Sequence, residues 1–175
     1  MSIKDAVSAW ARSQTNREVI FRDQDGKQPS VPYVTIKVTS SSREGQADVM
    51  HEVSDEGVVT IKQGMLFTLS VQTYGDDILG IMNDLRSSLN KWSVQNALRQ
   101  NGICYVQVLS EPSDISAITG TTWQQRATMD VQFRTDVSIT DDVGIIESVQ
   151  FTGEADGLTV TKFVGEPLIL DEEGE

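Results

Sequence analysis

Between Gly64 and Leu109 the spacing of apolar residues changes period twice. Leu66 to Tyr74 reads as a strand of β-branched and aromatic residues, and Val58 to Ile61 reads as an earlier one, with Lys62, Gln63 and Gly64 as the expected bend. Ile78, Met82, Leu85, Leu89 and Trp92 then recur at steps of four and three, which puts them on one stripe of an amphipathic helix. The stripe drifts at Val94, Ala97 and Leu98, so a kink or fresh start is expected near Ser93, which is placed to cap a last short helix. Asp76 and Asp77 are placed to cap the first turn with a carboxylate, and Asn101-Gly102 to end the last. Ile103 to Leu109 returns to a strand, with Cys104, Val106 and Val108 alternating against Tyr105 and Gln107. That apolar setting predicts a packed core thiol at Cys104.

Upstream, Ser2 followed by Ile3, Ala6, Val7 and Trp10 predicts a capped short helix anchored by Trp10. A brief apolar run, Val19 to Phe21, leads into a loop that Pro29 and Pro32 keep from being helical. Val34, Ile36 and Val38 alternate with Tyr33, Thr35, Lys37 and Thr39 in a half-buried strand. Residues 40–56 are polar, rich in Ser, Gly and acids, and read as a long hairpin arm or loop. Downstream, Ser110 to Trp123 reads as a loop, and Ala127, Met129, Val131 and Phe133 mark the apolar side of a long strand. One or two more strands follow, with the turn at Gly153 to Gly157.

The expected fold is α+β: a mostly antiparallel sheet, one long amphipathic helix and a short N-terminal helix packed on one face, and an extended β-hairpin or loop arm. A single domain is expected over residues 1–165, with an acidic tail over 166–175. Composition supports a packed fold, since 38% of the 175 residues are apolar and 23% charged. The formal charge of −12 opposes gripping a phosphate backbone or an anionic lipid surface. No run approaches the roughly 20 apolar residues that a membrane span requires, and the N-terminus lacks the pattern of a secretory leader, so synthesis in the cytoplasm is expected. A lone cysteine fits a reducing compartment.

Catalytic patterns are missing. His51 is the only histidine and lies in a polar stretch, so there is no histidine pair or Cys-His cluster for zinc, and no Ser-His-Asp set with a spacing argument behind it. The acid pairs Asp76-Asp77 and Asp141-Asp142 are adjacent residues whose side chains point apart, which favours capping over acid–base work. No glycine-rich phosphate loop is present. Neither a cofactor nor enzyme activity is expected, and good core patterning without a site points to an assembly part or binding module.

Three segments carry a resemblance. Val19 to Val38, Leu66 to Leu89 and Trp123 to Gly153 occur in the order seen in the phage neck or tail terminator family of long-tailed phages. They resemble, in turn, its entry region, its strand, Gly-Asp turn and helix, and its closing strand with an Arg-Ala pair. The chain has Phe21-Arg22 where that family often has Trp-Ala, and Gln125 where Glu often stands. The resemblance implies a virion protein of the tail or neck. It would form a ring, six-fold by likeness, that caps the tail tube, ends tail growth and joins the tail to the neck connector or a head-completion protein. Implied partners are further copies of itself, the tail tube protein, that connector, the sheath of a contractile tail, and genomic DNA passing through the lumen without specific binding. Interface candidates are Arg43, Glu44, Met50 and His51 on the arm and Asp171, Glu172 and Glu173 in the tail. Alternatives are another tail or baseplate adaptor of related fold, or a small-ligand-binding domain.

Overall fold

The computed structural model describes residues 3–23, 25, 28–45, 49–50, 53–144, 149–155 and 158–164. Among the described residues three helices, α1 (Ile3–Thr15), α2 (Ile78–Ser88) and α3 (Trp92–Arg99), accompany ten strands. The strands are β1 (Glu18–Phe21), β2 (Tyr33–Arg43), β3 (Val49–Met50), β4 (Val58–Tyr74), β5 (Ile103–Asp114), β6 (Ala117–Thr119), β7 (Thr122–Gln124), β8 (Arg126–Asp142), β9 (Val149–Ala155) and β10 (Leu158–Val164). The chain divides into two units, Met1–Val49 with Lys62–Ile139 and Met50–Ile61 with Thr140–Glu175.

The first unit is built on a sheet of order β1-β2-β4-β8-β5, and β3 also pairs with β4. β2 runs antiparallel to β4 and β5 antiparallel to β8, while β1 lies parallel to β2. The fold is therefore α+β with a mostly antiparallel sheet. The alternation in β8 appears as expected: Ala127, Met129, Val131 and Phe133 are all fully buried. They join Val34, Ile36, Leu69 and Val71 from neighbouring strands and Val7, Trp10, Met82, Leu85 and Leu89 from the helical layer in one core. The other face carries Thr128, Asp130, Gln132 and Arg134 of β8, all at least partly exposed.

Aromatic rings knit this core. Phe133 stacks on Phe67 of β4 at 5.5 Å and meets Trp10 of α1 and Tyr105 of β5 edge-on at 5.9 and 6.3 Å. Such arrangements add to area burial because a ring's positive edge meets a negative face. The Trp10 indole would leave a buried donor, but its Nε1 donates to Ser88 Oγ at 3.0 Å, tying α1 to the end of α2.

The fresh start expected near Ser93 is present, and the helix after Gly75 is two helices: backbone N–H groups of Leu89, Asn90 and Lys91 turn back to carbonyls three residues earlier, tightening and ending α2. Several details of it are corrected. The restart is at Lys91, which precedes α3 with extended backbone and no side-chain cap, so Ser93 is not the cap. Trp92 leaves the apolar stripe and is 74% exposed. Asp77 does not cap through its carboxylate; it sits left-handed at φ 51° with no side-chain cap bond, and its carbonyl accepts from Ile81 N–H at 3.0 Å.

Other differences lie in the strands. Gly64 is no bend, since β4 continues through it. Val19 to Phe21 lies within β1, β2 extends to Arg43, and the Ser110–Trp123 stretch holds the end of β5 and a β6–β7 hairpin. Cys104 is exposed, opposite Arg134. The cause is a register shift between Tyr105 and Gln107, a bulge that puts Val106 and Gln107 both outward and reverses the alternation. Ile103, Tyr105 and Val108 therefore take the core side.

In the second unit β9 and β10 pair antiparallel with Ala155 opposite Leu158; of the turn expected at Gly153 to Gly157, residues 153–155 belong to β9 and 156–157 lie outside the described residues. Gly57 is placed by two constraints, a φ of 79° and the approach of Gly144, whose carbonyl carbon lies 2.7 Å from where a Cβ would be. Only glycine meets both.

Replacing Phe133 with Ala should lower the unfolding free energy by about 3–5 kcal/mol, because it empties the centre of the aromatic cluster. Urea unfolding followed by Trp fluorescence reads this, and a loss below about 1 kcal/mol would show that the cluster is peripheral.

Candidate interaction surfaces

Of the residues that the sequence singles out for contact, Arg43 and Glu44 fall together at the end of β2. Both are exposed. Arg43 points its guanidinium at Gln63, whose amide oxygen, turned toward it, accepts from Nε at 2.6 Å and Nη2 at 3.2 Å. The Glu44 N–H donates to the Gly64 carbonyl at 2.8 Å, and its carboxylate pairs with Arg134 Nε at 2.7 Å. Gly64 lies under that ion pair: a Cβ there would come within 3.3 Å of Glu44 Oε2 and 3.4 Å of Arg134 Nη2. The glycine thus lets a salt bridge cross from β2 to β8 over β4. With both side chains about half exposed the bridge adds little stability, so its effect is to hold a charged pair in fixed register on the face away from the helices. Met50 lies in β3. His51, Asp171, Glu172 and Glu173 fall outside the described residues.

The acid pairs remain on the surface, with Asp76, Asp77, Asp141 and Asp142 all exposed. Asp142 Oδ1 accepts from the Gly144 N–H at 3.2 Å. Among the described residues no group of three or more His, Cys, Asp or Glu side chains is placed to hold a metal ion. No helix among them is long and apolar enough to cross a membrane.

The larger features come from a segment that reads as loop in the sequence. β6 and β7 form a hairpin in which Ile118 faces Trp123, and these side chains are 69% and 60% exposed. Gly120, at φ 64°, begins its two-residue turn. Thr and Ile flanking Gly120-Thr121 in the sequence are the signal that marks this hairpin. Thr119 and Gln124 line a cleft of about 380 Å³ with Tyr33, Thr35 and Tyr74, which point away from the helices. Trp123 lines a neighbouring cleft with Val31, Gly75 and Asp76. The hairpin therefore stands on the sheet face that the helices leave uncovered.

In the first of these clefts the rings of Tyr33 and Tyr74 stack at 4.6 Å, and Gln28 Nε2 donates to the Tyr33 hydroxyl. Arg22 Nη2 reaches over β2 to the Ser70 carbonyl at 3.1 Å. Thr35, only 4% exposed, has no hydrogen-bond partner for its hydroxyl among the described residues. On the opposite face, α1 and α3 flank an apolar groove of about 350 Å³. Its floor and walls include Ala6, Ala9, Trp10, Val94, Ala97 and Leu98, and Lys91 Nζ at its margin donates to Gln14 at 3.1 Å.

Burial pushes the Tyr33 phenol above its ordinary value of 10.0, and the hydrogen bond from Gln28 pulls it part of the way back. The folded state then holds this proton more tightly than the unfolded chain does. Its contribution to stability is complete below pH 10.0 and is lost as pH rises through the folded value. Thermal unfolding across the alkaline range should show a steeper loss for the native chain than for Tyr33→Phe; identical profiles would refute the link.

A family model described as phage neck terminator protein matches residues 1–157. No curated protein matches the sequence.

Proposed function

The chain belongs to the phage neck terminator family, a family of structural proteins of the virion neck, and on that premise we propose that it acts as a homo-oligomeric ring. The ring caps the last ring of the tail tube, ends tail growth and joins the tail to the neck connector or head-completion protein. The observation that carries this reading is the match across residues 1–157, nine-tenths of the chain. Surface chemistry supports it. A chain of charge −12 lining a lumen would repel the DNA backbone, so the genome would pass without being held. Arg43, Glu44, Met50 and His51 are proposed contacts to neighbouring subunits or the tube, as are Asp171, Glu172 and Glu173 in the tail. The ring is six-fold by likeness to tail terminators, and the sheath of a contractile tail is a further proposed neighbour.

Light scattering and negative-stain electron microscopy of the full chain, alone and with purified tail tubes, test the ring. Rings in solution or at tube ends are expected; a strict monomer at micromolar concentration that leaves tube ends bare would overturn it. Shortening residues 46–52 to a brief Gly-Ser linker removes β3, yet should leave the chain folded, with a cooperative thermal transition by circular dichroism, while ring formation and tube capping are lost. Unchanged assembly would show that the arm bridges nothing.

A further inference from the structure

Two apolar features of the first unit match in chemistry and lie on opposite faces of its sheet. One is the hairpin that lifts Ile118 and Trp123 into solvent as a directly opposed pair. The other is the groove between α1 and α3, which Ala9 and Ala97 leave open because they fill it with methyl groups alone. An exposed Trp beside an exposed Ile is costly in water, since an aromatic side chain has roughly 150–250 Å² to hide. Clusters of this kind carry most of the binding energy where proteins meet.

We propose that the β6–β7 hairpin of one subunit seats Ile118 and Trp123 in the α1–α3 groove of the next copy. This deepens the ring reading and rests on it. The occupant is a second copy because one chain supplies both halves, an apolar knob and an apolar groove of a size to take an indole and a butyl group. The margins agree in charge: Lys91 stands beside the groove, and Asp76 lines the cleft next to Trp123. Placement then sets the symmetry. Two-fold partners present the same patch to each other, whereas a knob and a groove on opposite faces of a sheet cannot both engage within one such patch. The contact is head-to-tail, and a head-to-tail contact either closes into a ring or runs on as a filament.

The test uses two full-length variants, Trp123→Ala and Ala97→Glu, each alone and then mixed in equal amounts. Both positions are exposed, so circular dichroism and melting temperature should match the native chain. If Ala97→Glu fails to fold, Ala9→Glu on the facing helix blocks the same groove. Each variant alone should self-associate roughly 30-fold or more weakly, the effect of removing one interface anchor. In the mixture, the intact hairpin of Ala97→Glu meets the intact groove of Trp123→Ala, and mass photometry should show pairs that grow no further. Rings from either folded variant alone, or full rings from the mixture, would overturn this contact and leave the ring reading standing. A native chain that never oligomerises, with or without tube ends, would overturn the ring reading itself.

Discussion

The structure of the first unit depends on Phe133. Its ring is touched by aromatic side chains from α1, β4 and β5, three elements far apart in sequence. Because interiors pack at crystal-like density, the position of one ring limits where all of its neighbours can stand. Trp10 is the most consequential of these. It packs on Phe133, hydrogen-bonds Ser88 at the end of α2, and still shows an edge to the groove beside α3. The core thus sets the spacing of α1 from α3, and with it the width of the apolar groove on the outside.

The sequence showed most clearly those elements whose periodicity runs unbroken. The long strand β8 kept its alternation through Phe133 because no bulge falls among those residues, and the apolar stripe of α2 held from Ile78 to Leu89 for the same reason. Period arguments fail where an extra residue enters. One bulged residue at Val106 turned Cys104 outward and Tyr105 inward, and nothing in the string ICYVQVL announces it. Trp92 misled in another way, since three residues of tightened turn rotated it off the face that a continuous helix would have buried. Single-residue insertions and turns of this kind are decided by tertiary packing, which a linear pattern does not contain.

Glycine was the least legible residue. At Gly64 the local pattern suggested a bend, yet the strand runs on, and the missing side chain is explained by the Glu44–Arg134 pair lying over it. The partners are twenty residues upstream and seventy downstream, so the reason for that glycine appears only when three strands are side by side. The hairpin surface was hidden likewise. Its Thr-rich strands read as loop because polar β-branched residues around Gly120 suit either, and the apolar pair becomes visible as a unit only through the pairing of Ile118 with Trp123. Arg43 and Glu44 were singled out as arm residues, and their grouping with Gln63 and Arg134 emerged from the fold.

The register shifts along β5 have a consequence for the life of the free subunit. β5 is an edge of the sheet, broken three times by irregular pairing and carrying Pro112, which has no N–H to offer. The opposite edge, β1, is only four residues long. Neither of these two strands presents a long flat row of hydrogen-bonding groups on which another chain could grow as an added strand. At β1 and β5, then, the sheet of the first unit is a poor template for strand addition, and a neighbour meeting it there does so through side-chain packing.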